Sequence, residues 1–330
     1  MNKTKIIFLF LGLGAIAYLF YHVGLSSIAD YLYRLGWKSW LIFIPFFIIN
    51  YIDTWAWYFT FTPMFPSHCI SFSNIFWLRI CGEAVNNFTP TAHIGGDVTR
   101  VICLKRMGIA KSVGLVSVMM DKAALIISEI IFVYTGLFLL LTHMESSFRM
   151  KLWIGLSFPI ILFLLYVLIL AVRMGLLSQL SDRLKVRFNR DWFNQLHHKI
   201  QKLDQHLHQF LHHQRRAFLW STLLHYIGWL VGTFETWIML YCIGIHVNLL
   251  DAMMIEALII LVKGLGFFMI GSLGIQEGGA VIFFKILALG QGAGLAFSLL
   301  KRARELFFGL LGWIVLWRQF PKLREDMGSS

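Results

Sequence analysis

Arg79, Glu83, Asp97 and Arg100 lie in or just before the stretch NNFTPTAHIGGDVTRVICLKRMG, residues 86–108, which separates two long apolar runs. Facing lipid at mid-bilayer, each charge would cost about 2.5–3.5 kcal/mol, and the set on the order of 10 kcal/mol. They must therefore face one another, water or a ligand. One fitting chemistry is a structural ion-pair network, with Arg100 a helical turn from Asp97. The other is a polar cavity for a charged ligand. Asn86, Asn87, Pro90 and His93 would supply polar groups and a break in the helix. Gly95 and Gly96 would let backbone N–H groups approach closely, and a helix starting near Asp97 would direct its positive end to the same point. Arg79 and Arg100 would then grip phosphate through their guanidinium forks.

A second Gly-rich break, GSLGIQEGG at 271–279, carries Gly274, Gln276 and Glu277, and Lys301, Arg302 and Arg304 follow on the next helical stretch. Asp121 and Glu129 are eight residues apart and share a helix face. Asp53, Glu235, Glu256 and Lys263 are further charges inside apolar runs, each a cavity residue or a structural one. Six histidines crowd residues 197–213 with no cysteine among them, and Asp204 does not complete a metal site with them, so neither a metal nor a cofactor is expected. Cys69, Cys81, Cys103 and Cys242 show no paired spacing, which argues against a disulfide framework or a zinc site. Walker A, HExxH and GxSxG motifs are absent, which lowers an enzymatic reading without removing it.

The elements that must position these groups are transmembrane helices. Hydrophobic residues form 58% of the 330-residue chain, charged residues 14%, and the mean hydropathy is +0.70, outside the range of soluble domains. The apolar runs do not alternate as β-barrel strands do. The expected fold is all-α: a polytopic helical membrane protein with about six full spans at 6–23, 39–61, 113–141, 152–172, 217–243 and 295–317. The first run reads as an uncleaved helix, with Ser27-Ile28-Ala29 a weak signal-cleavage site as the alternative. The net charge of +12 collects in membrane-flanking segments, which favours anionic lipid surfaces and excludes nucleic acid as a partner.

The basic loop 173–216 goes to the cytoplasm by the positive-inside rule, and counting outward puts both termini there too, at the expense of leaving Arg34 and Lys38 outside. Within that loop, apolar residues from Leu196 to Phe210 repeat in steps of four and three, as in an amphipathic surface helix. The count requires residues 73–106 and 251–290 to be re-entrant hairpins, or else to cross twice each. Shifting the chain by 180 residues superposes repeat halves at about 39–141 and 217–317, aligning Trp57 with Trp237, Asp97 with Glu277 and Lys122 with Arg302. The two halves would have opposite orientation, and inverted repeats with broken helices are a transporter feature.

Asn87-x-x-Pro90 followed by Gly95-Gly96-Asp97-x-x-Arg100, the pair Asp121-Lys122, and Gly274-x-x-Glu277 with Arg302 or Arg304 resemble the lysylphosphatidylglycerol synthase transmembrane-region family. These flippase-like proteins include hopanoid-associated members. The resemblance runs over nearly the whole chain but stops short of the cytosolic synthase domain. It implies lipid handling in a bacterial inner membrane: movement of an anionic phospholipid or related lipid between leaflets. Arg79, Arg100 and Arg302 or Arg304 would contact phosphate, while Asp97, Glu277, Asp121 and Glu129 would hold those arginines or bind a cationic head group. The two Gly-rich turns would meet at one polar site. A membrane enzyme acting on a lipid-linked substrate, or a non-catalytic partner of a lipid-synthesis enzyme, are the alternatives, and a homo-oligomer is compatible with each.

Overall fold

In a computed structural model, the described residues are 36–62, 70–89, 94–143, 214–266 and 272–319, with a few isolated positions elsewhere. They form a 3-10 helix, Gly36–Ile42, and eight α-helices. These are α1 (Phe43–Phe61), α2 (Phe72–Phe88), α3 (Gly95–Arg106), α4 (Lys111–His143), α5 (Arg215–Cys242), α6 (Leu249–Leu265), α7 (Ile275–Ile286) and α8 (Gln291–Gln319). The chain is an all-helical integral membrane protein. Among the described residues, three helices are long and apolar enough to cross a bilayer, Trp40–Phe61, Lys111–Thr142 and Arg215–Cys242, and they coincide with three of the expected spans. The expected spans 6–23 and 152–172, most of the basic loop, and the sites at Pro90 and His93 fall outside the described residues. α8 has 29 residues, ample for a crossing, but its first half carries Lys301, Arg302, Arg304 and Glu305.

The local sequence explains the helix starts. Ser71 caps α2 by accepting from the Asn74 N–H, and Asn248 and Asp251 form a reciprocal capping box on α6. Before α7 the backbone turns left-handed at Gly274 (φ 81°), and the Glu277 carboxylate accepts from the Gly274 N–H at 2.7 Å. α3 and α7 have only 12 residues, or about 18 Å of rise, well short of the hydrocarbon thickness. Neither can span alone. α3 folds back on α2, and α7 packs on α6 and α8.

Close helix approach rests on glycine. A Cβ on Gly96 would sit 2.1 Å from the Gly82 carbonyl oxygen across the α2–α3 hairpin. Gly136 similarly admits Ala257 where α4 meets α6, and Gly312 admits Ile80 and Ala84 where α8 meets α2, the small-residue packing that membrane helices use. Buried apolar residues gather on both sides of this frame, one group around Trp57, Ile75 and Leu104 and another around Met239, Phe284 and Phe297.

The 180-residue shift carries much of the first half's geometry onto the second. α3 and α7 begin and end at shifted positions, as do the starts of α4 and α8. The turn after α3 bonds Gly108 to Lys105 and Ile109 to Leu104, and the turn after α7 bonds Ala288 to Lys285 and Leu289 to Phe284. Gly114 packs on Leu104, and Gly294 packs on Phe284. α1 lies against α5, α4 against α6, and α8 against α2.

Candidate functional site

Most of the charged residues that the described helices bury line one cavity of about 360 Å³. α1 contributes Asp53, α2 contributes Arg79, Glu83, Asn86 and Asn87, and α3 contributes Asp97 and Arg100. From the other side come His225 and Glu235 on α5, Glu256 and Lys263 on α6, Gln276 on α7, and Lys301, Arg304 and Glu305 on α8. α4 lines it with Asp121, Lys122 and Glu129. Room for these side chains comes from α5, where a Cβ on Gly228 would lie 3.0 Å from Asp53 Oδ1 and one on Gly232 would lie 3.6 Å from Glu256 Oε1.

Two ion-pair networks border the cavity. In the first, Arg79 Nη2 lies 2.5 Å from Asp53 Oδ2 and 3.5 Å from Glu83 Oε1, and its Nη1 lies 3.8 Å from Asp121 Oδ2. Arg100 Nη1 lies 3.6 Å from Asp121 Oδ2 and 3.7 Å from Asp97 Oδ1, with its guanidinium 5.2 Å from the Trp57 ring centre. Lys122 Nζ is 3.1 Å from Asp97 Oδ2. His225 joins α5 to this network, with Nδ1 2.7 Å from Asp53 Oδ1 and Nε2 3.0 Å from Asp121 Oδ1.

In the second network, Lys301 Nζ pairs with Glu256 at 2.5 Å, and the Thr236 hydroxyl donates to the same carboxylate. Arg304 pairs with Glu235 and lies over Phe46, 4.1 Å from its ring centre. Lys263 Nζ is 2.7 Å from Glu305 Oε1, and Arg302 bridges Glu277 at 2.6 Å and Glu305 at 3.0 Å.

This arrangement redistributes the expected roles. The arginines are committed to carboxylates: the Arg79 side chain is 4% exposed and reaches three of them. The charges that open to the cavity are Lys122, Lys263 and Glu83, at 32%, 34% and 35%. Glu129 also lines it, within electrostatic reach of both lysines, and makes no hydrogen bond or ion pair among the described residues. Gly96 serves the hairpin: its N–H donates to Asn86 Oδ1 at 2.8 Å, so it is not free to meet a ligand. Gly95, Gly274, Glu277 and Arg302 do not line the cavity, and Glu277 spends its carboxylate on the Gly274 cap and on Arg302. Asp97 and Gln276, from the two Gly-rich breaks, line the same space.

Sequence reasoning overlooks His225 and Glu305. A lone histidine between Leu224 and Tyr226 has no motif around it, and its one signal is an ionisable group inside a span. Glu305 follows Arg304 and reads as a helix-surface pair, whereas it receives Lys263 from α6.

Comparison with curated proteins and with solved structures gives no match. Buried charge held around a cavity by broken helices is the setting in which the motif residues noted above lie, and residues 5–312 match the family model described as the lysylphosphatidylglycerol synthase TM region. The chain belongs to that family, as an integral membrane protein related to lipid handling.

Proposed function

We propose that this protein moves an anionic phospholipid, or a related anionic lipid, between the leaflets of a bacterial inner membrane. The observation that carries the reading is a charged cavity bordered by apolar helices among the described residues. Its volume of about 360 Å³ falls in the ~300–1,000 Å³ range of small-molecule sites. A polar head group fits such a space, while the acyl chains stay in the bilayer. Lys122 and Lys263 present the accessible cations for the phosphate, in place of the buried arginines. Arg79, Arg100 and Arg304 keep the carboxylates in position around them.

In this reading α2–α3 and α6–α7 are re-entrant hairpins of an inverted repeat, which the short α3 and α7 and the 180-residue correspondence support. The halves can then rock about the α1–α5 contact to expose the cavity to either side. Both termini face the cytoplasm.

The test is transport by the purified full chain in liposomes of phosphatidylethanolamine and phosphatidylglycerol. A fluorescent phosphatidylglycerol that begins in the inner leaflet becomes open to external dithionite if the protein moves it. Loss of fluorescence no faster than in protein-free liposomes overturns the reading. A new lipid product in the same liposomes would instead identify an enzyme.

A further inference from the structure

His225 has both ring nitrogens within hydrogen-bond distance of carboxylates on two other helices. An ionised carboxylate only accepts, and a neutral imidazole donates from one nitrogen. Making both bonds therefore takes two protons among the three groups. They are held either as an imidazolium between two carboxylates or as a neutral imidazole with one protonated carboxyl. Asp53 and Asp121 meet opposite edges of the ring, so the three groups do not converge on a point as metal ligands do.

The charge around this unit is poised. Among the described residues of α1 to α4, the carboxylates Asp53, Glu83, Asp97 and Asp121 face three permanent cations, Arg79, Arg100 and Lys122, and Glu129 adds a further acid near Lys122 and Lys263. The other network balances by itself: Glu235, Glu256, Glu277 and Glu305 face Lys263, Lys301, Arg302 and Arg304. The extra proton on the His225 unit offsets one of the negative charges left over. Around His225, α1 presents Asp53, α4 presents Asp121, Lys122 and Glu129, α6 presents Glu256, and α8 presents Arg304 to the shared cavity. Arg79 and Arg100 reach the unit from α2 and α3.

We infer that Asp53, His225 and Asp121 form a proton-binding site, and that its second proton travels with an anionic head group so that lipid movement is coupled to proton movement. The inference rests on the reading of the cavity as a lipid path. A head-group phosphate entering beside Lys122 adds negative charge next to Asp121 and strengthens proton retention. By linkage, the proton strengthens lipid binding by the same factor. When the lipid leaves, the negative charge of its phosphate goes with it, the unit holds its second proton less tightly, and the proton passes to water on that side.

The test places the full chain in phosphatidylethanolamine–phosphatidylglycerol liposomes, with the membrane potential clamped by valinomycin and potassium. Fluorescent phosphatidylglycerol is followed to its final leaflet distribution with and without a difference of about two pH units. Coupling predicts a several-fold enrichment in the leaflet facing the alkaline side, bounded for one proton per lipid at about 100-fold, the ratio of proton activities. An unchanged distribution, with movement still faster than in protein-free liposomes, overturns coupling and leaves the transport reading standing. Absence of any movement overturns the transport reading and the coupling with it. His225→Gln is expected to lose the enrichment, and full enrichment in that variant overturns the assignment to His225. A second measurement needs no variant: phosphatidylglycerol added to the solubilised wild-type chain in weak buffer should draw protons from solution. No uptake on saturation with lipid overturns the site.

Discussion

Lys122 Nζ lies 3.1 Å from Asp97 Oδ2, and 180 residues later Arg302 Nε lies 2.6 Å from Glu277 Oε1. Each acid is the third residue of a 12-residue helix, and each cation is the twelfth residue of the long helix that follows. The pairs nevertheless differ in use. Glu277 also caps α7 and Arg302 also binds Glu305, so the second pair fastens α7 to α8. Asp97 and Lys122 line the cavity, and Asp97 Oδ1 is buried without a hydrogen-bond partner. The first pair faces the cavity and the second does not.

That difference separates two substitutions of the same type. Asp53→Asn removes the closest partner of the buried Arg79 guanidinium and should destabilise the protein by about 3–5 kcal/mol. Asp97→Asn leaves a more exposed lysine behind, and Arg100, the other partner of Asp97, keeps Asp121 at 3.6 Å, so the stability effect should stay below about 1 kcal/mol. Thermal melting in detergent and membrane yield give the comparison, with lipid movement measured alongside. Asp97→Asn should melt near the wild type while transport falls at least tenfold. Equal destabilisation by both variants would reduce Asp97 to a structural role.

A second pair of variants tests the hairpin. Gly96→Ala drives a methyl group into the Gly82 carbonyl, and overpacking of this kind costs about 1–3 kcal/mol or more. Gly278→Ala, on α7, meets nothing within 4 Å and should be neutral or stabilising by up to about 1 kcal/mol through helix propensity. The melting temperature should therefore fall for Gly96→Ala and hold or rise for Gly278→Ala. Similar losses in both would mean that α2 and α3 do not approach through Gly82 and Gly96.

The sequence makes the helical class legible because apolar runs of span length have no alternative in water, and Gly274 and Glu277 announce a helix start through capping chemistry. The site is legible only in part. Asp97 and Arg100 stand out because charge in an apolar setting is conspicuous, and the shift that aligns Asp97 with Glu277 is visible by inspection. Which partner each charge takes depends on the crossing of α1, α4 and α5, and that is set by non-local packing. Arg79 therefore looks like a phosphate fork until Asp53, twenty-six residues earlier, is seen to occupy it. His225 becomes informative only once two carboxylates from distant segments meet its ring.

Glu129 decides the sign of the head group. If Lys122 and Lys263 bind phosphate, the Glu129 carboxylate beside them opposes it, and Glu129→Gln should tighten phosphatidylglycerol binding several-fold, or roughly 1 kcal/mol. Lys122→Gln should weaken it by a comparable factor. Lipid-dependent stabilisation of the purified protein reads both changes. Weaker binding of anionic lipid in Glu129→Gln, or preserved binding in Lys122→Gln, would put the phosphate elsewhere and leave Glu129 for a cationic group.

The last prediction concerns how the cavity faces the two compartments. α5 has 28 residues and a rise of about 42 Å, so its ends lie on opposite sides of any bilayer it crosses. It starts at Arg215-Arg216, at the end of the basic loop, and runs toward Asn248, which is exposed at the cap of α6. The positive-inside rule then gives the Arg215 end to the cytoplasm and Asn248 to the outside. In a background with the four native cysteines replaced, Asn248→Cys should react with an impermeant thiol reagent on intact cells. Gln214→Cys should react only after the membrane is opened. The hairpins follow from the same orientation: α2–α3 would enter from the cytoplasmic side and α6–α7 from the outside, so that the Asp97–Lys122 and Glu277–Arg302 pairs approach the cavity from opposite faces. Labelling of Gln214→Cys in intact cells would invert that order, and the proton and lipid gradients would have to act on the opposite pair.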